Sequence, residues 1–478
     1  MEKLLFVASE AYPLVKTGGL ADVAGCLPEV LRQKGLDVRL LLPAYADLLA
    51  NLASVPEVAA ELELAGETVR ILQTRLPGTP LTTWLLEHPL FSGRPGNPYQ
   101  DEQGDPWPDN ADRFLLLSRA AALVSTSDTA LAWRPDILHC NDWHTGPAIA
   151  LTQLSEDRPR TVFTVHNLAH MGIFDRQTFD RLQLPEHLWQ ERGLEYYDQC
   201  SFMKGGLVFA DHITTVSPTY AEEICHSPGG MGLEGLLSQS RDRLVGIVNG
   251  IDNNTWDPSS DPFLEHTYDA GSLDHKAGNK SQLQQTLGLA PRVDVPLLGF
   301  VGRLVEQKGL ELILPVLEQM LALPAQLVVL GTGESVYEQR LQEMAAAQPD
   351  SMAVVLAYNE SLAHNIEAAA DIFLMPSLFE PCGLNQLYSL RYGTLPVVRE
   401  VGGLADTVVD VNAQTLAEST ATGFVFRQPD PAALLGAVQR AAETWHDEAT
   451  WRQLQRNAMG QDFSWQHSAN RYLELYRS

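Results

Sequence analysis

The sequence predicts an α/β protein of two lobes, each a parallel sheet wound on both faces by helices. Three observations carry this. Short apolar runs of strand length alternate with helical patterns, in two separate series. A stretch without periodicity, Asn253 to Asn279, parts the two series. And 478 residues exceed one ordinary core, typical domain size giving about two to four domains.

The elements follow in order. Leu4–Ala8 is a dense apolar run; after a loop holding Thr17-Gly18-Gly19 the pattern turns helical from Ala21 to Lys34, where Gly35 stops it. Asp37–Leu42 resumes the apolar run and Pro43 ends it, which completes one βαβ unit. Further strands of the first lobe are expected at Ile137–His139, Thr161–Val165, Ile213–Val216 and Leu244–Val248. The segment 51–108, richer in Pro, Gly and polar turns, reads as insertions laid over the lobe. Asn249-Gly250-Ile251-Asp252 is a strong turn signal, and 253–279 is the expected linker. From Pro296 the alternation restarts, with strands at 297–301, 327–330, 352–356, 372–375 and 395–398, and helices starting near Leu310, Tyr337 and Leu362.

Composition narrows the function classes. Hydrophobic residues make up 45% and charged residues 19%, as in soluble globular proteins. With 33 Lys plus Arg against 60 Asp plus Glu, the net charge of −27 repels nucleic-acid backbones and anionic membranes, so neither is an expected partner. Five scattered cysteines without a CxxC pair indicate neither a disulfide framework nor a zinc module. No secretory leader pattern and no run of about 18 apolar residues is seen, and a cytoplasmic location is expected.

The stretch Pro376–Leu387 follows a buried-strand pattern and opens a helix, the place in an open α/β sheet where ligands collect. It offers a carboxylate, Glu380, beside a helix start suited to a phosphate. Arg303 and Lys308 stand together in one βα loop, an arrangement that opposes the helix dipole unless an anion is present and that suits a diphosphate. Lys16-Thr17-Gly18-Gly19 occupies the first βα loop, where phosphate contact and a tight turn with a solvated lysine are equal alternatives. His166 ends the run 161–165 and is as readily structural as catalytic. His139, Asp142 and His144 invite a metal reading, but strand alternation points neighbours apart and no third ligand set is spaced for it. A lone Glu380 lacks the second carboxylate of a glycosidase, which makes it a ligand for a sugar hydroxyl or for developing positive charge. Cys382 has no identified base and is given packing or sugar contact. Gly18-Gly19-Leu20-Ala21-Asp22 recurs identically as Gly402-Gly403-Leu404-Ala405-Asp406; shared turn-and-helix-start chemistry accounts for this as readily as duplication.

Together these motifs resemble one family, the bacterial glycogen synthases and plant starch synthases. The likeness rests on the stretches 16–23, Asp142-Trp143-His144, 163–168, 216–221, 249–252, Arg303-Leu304 with Gln307-Lys308-Gly309, 379–384, 402–408 and Phe463-Ser464-Trp465. The resemblance implies the GT-B fold, two Rossmann-like lobes facing across a cleft. It divides the chain into 1–248, joined by a C-terminal helix 464–478, and 249–463. It also implies transfer of glucose from ADP-glucose to the non-reducing end of an α-1,4-glucan such as glycogen, with retention and without a metal or other cofactor. By the same resemblance Arg303 and Lys308 neutralise the donor diphosphate, and Lys16 and Gly18 approach it from the other lobe. Glu380, His166, Asn249, Asp142, Cys382 and Gly383 contact the donor glucose or its surroundings, and Leu384 and Asn385 are substrate-binding with them, Asn385 at the helix start near phosphate. Tyr358 stacks near the adenine, and Asp22 and Tyr99 line the N-terminal side. Asn385 where the family commonly has Thr, His170-Met171 for a usual Tyr-Gln, and Val401 for a common Thr bear on donor selectivity, acceptor fit and rate. UDP-glucose as donor, another acceptor, and a catalytically weak glucan-binding regulatory protein are the alternatives.

Overall fold

The computed structural model describes residues 1–52, 54–126 and 131–478. The chain forms two compact units, Met1–Gly250 with Trp465–Ser478, and Ile251–Ser464. Against expected cuts after residues 248 and 463, Asn249 and Gly250 fall with the first unit and Ser464 with the second.

The strands of the first unit are β1 (Lys3–Val7), β2 (Asp37–Pro43), β3 (Glu57–Leu64), β4 (Glu67–Arg75), β5 (Thr82–Glu87), β6 (Ile137–Asn141) and β7 (Arg160–Val165). The short strands β8 (Ile173–Phe174), β9 (Glu195–Tyr196) and β10 (Gln199–Ser201) form a small antiparallel sheet of their own, and β11 (His212–Thr215) and β12 (Leu244–Gly246) complete the set. The main sheet runs β12-β11-β7-β6-β1-β2-β5-β4-β3. Its strands from β12 to β5 are parallel. The central ones are buried on both faces, as continuous apolar runs such as Leu4-Leu5-Phe6-Val7 require.

The segment 51–108 is not an insertion over this lobe, as its composition suggested. β5 adds parallel to β2, and β4 and β3 continue antiparallel to the sheet's edge. Two causes hid these strands. In β3 the side chains alternate exposed and buried only toward the end, with Glu57, Glu61 and Glu63 in water. The hairpin turn is Ala65-Gly66, both at positive φ (52° and 85°), a two-residue loop without the Asn-Gly or Asp-Gly signal that marks such turns.

The second unit holds β13 (Leu297–Val301), β14 (Gln326–Leu330), β15 (Met352–Val355), β16 (Ile372–Met375), β17 (Leu395–Arg399) and β18 (Phe424–Phe426), all parallel in the order β15-β14-β13-β16-β17-β18. The expected linker 253–279 is instead a packed strap of this unit. Trp256, Leu264, Tyr268 and Leu273 are buried against Leu387, Tyr388 and Tyr392, and the Trp256 ring lies 3.7 Å from those of both His364 and Tyr388. The helix Lys276–Leu287 escaped the periodicity because its buried face is polar: Lys276, Asn279, Lys280 and Gln284 share it with Leu283. Lys276 donates to the carbonyls of Glu367 and Ala368 and to the Thr394 hydroxyl; Lys280 pairs with Asp371 at 2.8 Å. Buried amino groups of this kind are tolerated because each finds oxygen acceptors, and burial lowers the Lys276 pKa to about 7. Among the described residues no helix is long and apolar enough to cross a membrane.

Candidate active site

In the first unit the carboxyl ends of the adjacent strands β7, β6 and β1 bring three loops together. Asp142, directly after β6, sits at φ 58° and ψ 178°, a region almost confined to glycine and worth keeping only where the fold over-determines it. Its Oδ1 accepts the His166 N–H at 2.7 Å and its own N–H donates to the Thr164 carbonyl at 2.9 Å, so the end of β7 and Asp142 hold each other. His166, directly after β7, is part-buried, and desolvation lowers its pKa to about 3, which keeps the ring neutral. The Asn141 amide donates to the Val7 carbonyl (3.0 Å), which orients its Oδ1 toward His166 Nε2 at 2.9 Å. Nε2 therefore carries the proton, and Nδ1 is left to accept one from a hydroxyl.

Lys16 Nζ pairs with Asp22 Oδ1 at 2.9 Å and lies 5.3 Å from the Tyr12 ring centroid. Gly18 is the N-cap of the helix Gly19–Gln33, extended and exposed. Tyr99, from a loop outside the strands, reaches in to bond Ser9 Oγ at 2.8 Å and rests its ring on His144 at 4.8 Å. The structure thus brings Lys16, Gly18, Asp22, Tyr99, Asp142 and His166 to one edge of the sheet. At their centre is Glu10, which no motif singled out. It is 3% exposed, accepts both the N–H and the hydroxyl of Thr17, and is influenced electrostatically by Asp22 and Asp142. A charged residue in the same βα loop as Lys16 was the available signal. Asn249 lies apart, beyond β12; it is buried, and its Oδ1 has no hydrogen-bond partner among the described residues. His139 is a core residue, its ring nitrogens satisfied by Tyr476 and Thr164.

In the second unit the loops after β13 and β16 are laced together. Lys308 Nζ stands 2.5 Å from Glu380 Oε2, which also accepts from Ser377 Oγ at 2.9 Å. Gln307 donates its side-chain amide to the Phe379 carbonyl and accepts the Leu378 N–H on its main-chain carbonyl. Gly309 is in left-handed backbone (φ 76°), and a Cβ there would stand 2.1 Å from the Pro376 carbonyl, so only glycine lets the loops meet. Arg399, at the end of β17, donates to the carbonyls of Ser377 and Leu378. Ser377, Gln307 and Arg399 are the supports that the motifs did not reveal. Arg303 is exposed, with its guanidinium 3.5 Å from Gln307 Oε1, on the same turn as Lys308.

Cys382 is buried, Gly383 is at φ 71°, Leu384 is the N-cap of the helix Asn385–Arg391, and Asn385 ties that helix to β13 by donating to the Val301 carbonyl at 2.6 Å. Val401 caps the helix Gly402–Thr407 without a side-chain bond; the Gly403 N–H is satisfied instead by the carbonyls of Glu380 and Pro381. Tyr358, beyond β15, is 78% exposed and bonds a near neighbour in sequence, Glu360, at 2.7 Å.

Two protein families match the chain: the starch synthase catalytic domain over residues 3–239 and the glycosyl transferases group 1 over 288–458. Glycogen synthase of Cellvibrio japonicus is 53% identical over 477 residues, covering 100% of this chain and 99% of that protein. Glycogen synthase 1 of Methylococcus capsulatus is 52% identical over 475 residues, covering 99% and 96%. The catalytic domain of starch synthase IV from Arabidopsis thaliana, solved with ADP and acarbose bound, superposes with a TM-score of 0.87 at 32% identity, over 100% of this chain and 99% of that one. Sucrose-phosphate synthase of Thermosynechococcus elongatus shares the fold at 18% identity, with a TM-score of 0.61 and coverage of 100% and 98%. The chain has the GT-B fold of glycosyltransferases and belongs to the glycogen and starch synthase family.

Proposed function

We propose that the protein transfers glucose from ADP-glucose to the non-reducing end of an α-1,4-glucan, with retention of configuration and without a metal ion. The observation that carries this is the Lys308–Glu380 pair with Arg303 on the same turn. Two cations and a sugar-binding carboxylate within one loop cluster supply what a nucleotide-sugar donor needs at its diphosphate and its glucose. ADP and acarbose are the molecules held by the Arabidopsis relative.

As ADP departs, negative charge grows on the diphosphate and positive charge on the sugar. Arg303 and Lys308 stabilise the first, by fixed cations that need no reorganisation as the bond breaks. Glu380, held in place by Ser377 as well as by Lys308, faces the second. Lys16 and Gly18 are assigned to the donor phosphate; neutral His166, with Nδ1 free to accept, and Asp142 are assigned to sugar hydroxyls, as are Asn249, Cys382 and Gly383. Leu384 and Asn385 shape the turn behind them, and Tyr358 is assigned to the adenine. The acceptor hydroxyl attacks on the face that ADP leaves, its proton passing to the departing phosphate.

The test is incubation of the purified protein with glycogen and radiolabelled ADP-glucose or UDP-glucose, in EDTA. We expect label in polymer from ADP-glucose, with retained α-linkage. Label from UDP-glucose alone would replace the donor, loss of transfer in EDTA would replace the metal-free chemistry, and glycogen binding without transfer from either donor would make the protein a binding module.

A further inference from the structure

Glu10 is built into the loop that joins β1 to the helix Gly19–Gln33. The first half of that loop is tied to the helix by backbone: the Tyr12 N–H donates to the Ala21 carbonyl at 2.9 Å, and glycine at position 25 lets the Tyr12 carbonyl come where a Cβ would stand 2.4 Å away. The second half carries Lys16, Thr17 and Gly18, and Glu10 anchors it. Glu10 Oε2 takes the Thr17 N–H at 2.6 Å and the Thr17 hydroxyl at 2.7 Å. A methyl placed on Gly18 would have Glu10 Oε1, at 3.9 Å, as its nearest neighbour.

We propose that Glu10 is a positioning residue for glucosyl transfer, its carboxylate clamping Thr17 and thereby setting Lys16 and Gly18 for the donor phosphate. The proposal rests on the function given above.

A carboxylate is an expensive clamp here. Glutamine would offer Thr17 an oxygen of the same reach but neutral, and so a weaker pair of hydrogen bonds; the chain keeps an ionisable group that is almost wholly buried. Asp22 from the following helix and Asp142 from the end of β6 both disfavour its charge. The Tyr45 and Tyr99 phenols also face it, and the nearby cation Lys16 is spent on Asp22. Residues that break a local rule at a cost mark functional positions. Burial, the largest influence, with Asp22 and Asp142 adding to it against the Thr17 bonds, lifts the Glu10 pKa from 4.5 to about 7. The fold therefore favours the neutral acid: this contribution to stability is full below about pH 4.5 and is lost as pH rises through about 7. The ionised clamp, which accepts two hydrogen bonds on one oxygen, exists above that range.

The experiment measures transfer from radiolabelled ADP-glucose to glycogen by wild type, Glu10→Gln and Glu10→Asp of the full chain, from about pH 5.5 to 8.5, with thermal unfolding alongside. For Glu10→Gln we expect kcat lower by about 10- to 100-fold, as for a small misplacement of a reacting group. The KM for glycogen should stay within about twofold. Wild-type activity is expected to fall below about pH 7, where burial places the Asp142 pKa as well, and the Gln variant should keep only the Asp142 part of that fall, while its melting temperature at pH 8 equals or exceeds that of wild type. Glu10→Asp, which keeps the charge, should retain the acid limb. An active wild type with an unaffected Glu10→Gln overturns the proposal, as does a Glu10→Gln whose activity and melting temperature fall together at pH 8. A wild type that transfers no label overturns the functional reading and takes this proposal with it.

Discussion

The pentapeptide Gly-Gly-Leu-Ala-Asp occurs once in each unit and begins a helix both times, yet its glycines answer different demands. In the second unit Gly402 is in left-handed backbone (φ 42°), and a Cβ there would stand 2.0 Å from the Glu380 carbonyl; on Gly403 it would stand 2.1 Å from the Cys382 carbonyl. Both glycines are buried, and they exist so that one loop can lie against the loop carrying Glu380. In the first unit Gly18 is exposed and extended, a conformation open to any residue, and an added methyl would find only Glu10 Oε1 within 4 Å, at 3.9 Å. There the missing side chain leaves open space in front of a carboxylate. One copy makes room for the protein's own backbone; the other faces open space. Identical sequence does not imply identical use; what lies across from it decides.

Three sets of substitutions break or sharpen this contrast. The largest effect is expected in the loop after β13, which Lys308 ties to the Glu380 loop that Gly402 and Gly403 support. Arg303→Ala and Lys308→Ala should each lower turnover by about 10²–10³-fold, the usual consequence of removing one group that stabilises transition-state charge. The two should differ in melting temperature: Arg303 is exposed, whereas loss of Lys308 leaves the buried Glu380 without its cation and should lower stability as well. Turnover near wild type in either variant would remove that residue from the donor site.

Next, Gly403→Ala should cost about 1–3 kcal/mol, the penalty of overpacking, because its nearest obstacles are backbone atoms that cannot swing aside. Thermal unfolding measures it, and a melting temperature equal to wild type would show that the 380–382 loop yields. The smallest change in stability is expected at Gly18→Ala, which should be neutral or stabilising by about 0.5 kcal/mol through the unfolded chain. Its kcat/KM for ADP-glucose should nevertheless fall about 10-fold, roughly 1.4 kcal/mol of transition-state binding. A Gly18→Ala protein that melts early would place this glycine in the same structural class as Gly403.

Much of the site was legible because its chemistry runs against local expectation. Arg303 and Lys308 stood out as cations at a helix start in an acidic chain, and the structure places them with Glu380, which follows Lys308 by 72 positions. Supports chosen by geometry left no such mark. Ser377, Gln307 and Arg399 hold the Glu380 loop through carbonyls and short side-chain bonds, which any polar loop residue can make. Asp142 reads in sequence as one acid beside a histidine; its positive φ and its grip on the His166 N–H emerge only when β6 and β7 lie side by side. Tyr358 came from the family resemblance alone; it follows β15, two strands away from β13, and lies largely in water.

By itself the sequence determined the two α/β series, the strands whose apolar runs are buried on both faces, and the βα loops that bear the charged residues, because periodicity, helix breakers and unusual charge are local properties. Tertiary structure alone decided three things. It added β3, β4 and β5 to the first sheet, since edge strands are half solvated and their pairing is with distant chain. It turned 253–279 from a linker into a strap, since isolated aromatics gain their partners only from helices more than a hundred residues on, as when the Tyr268 hydroxyl meets the Tyr392 carbonyl. And it made Glu10 the hub of the N-terminal site, since the cost of a buried carboxylate is set by Asp22, Asp142 and the phenols around it, which no stretch of sequence contains together.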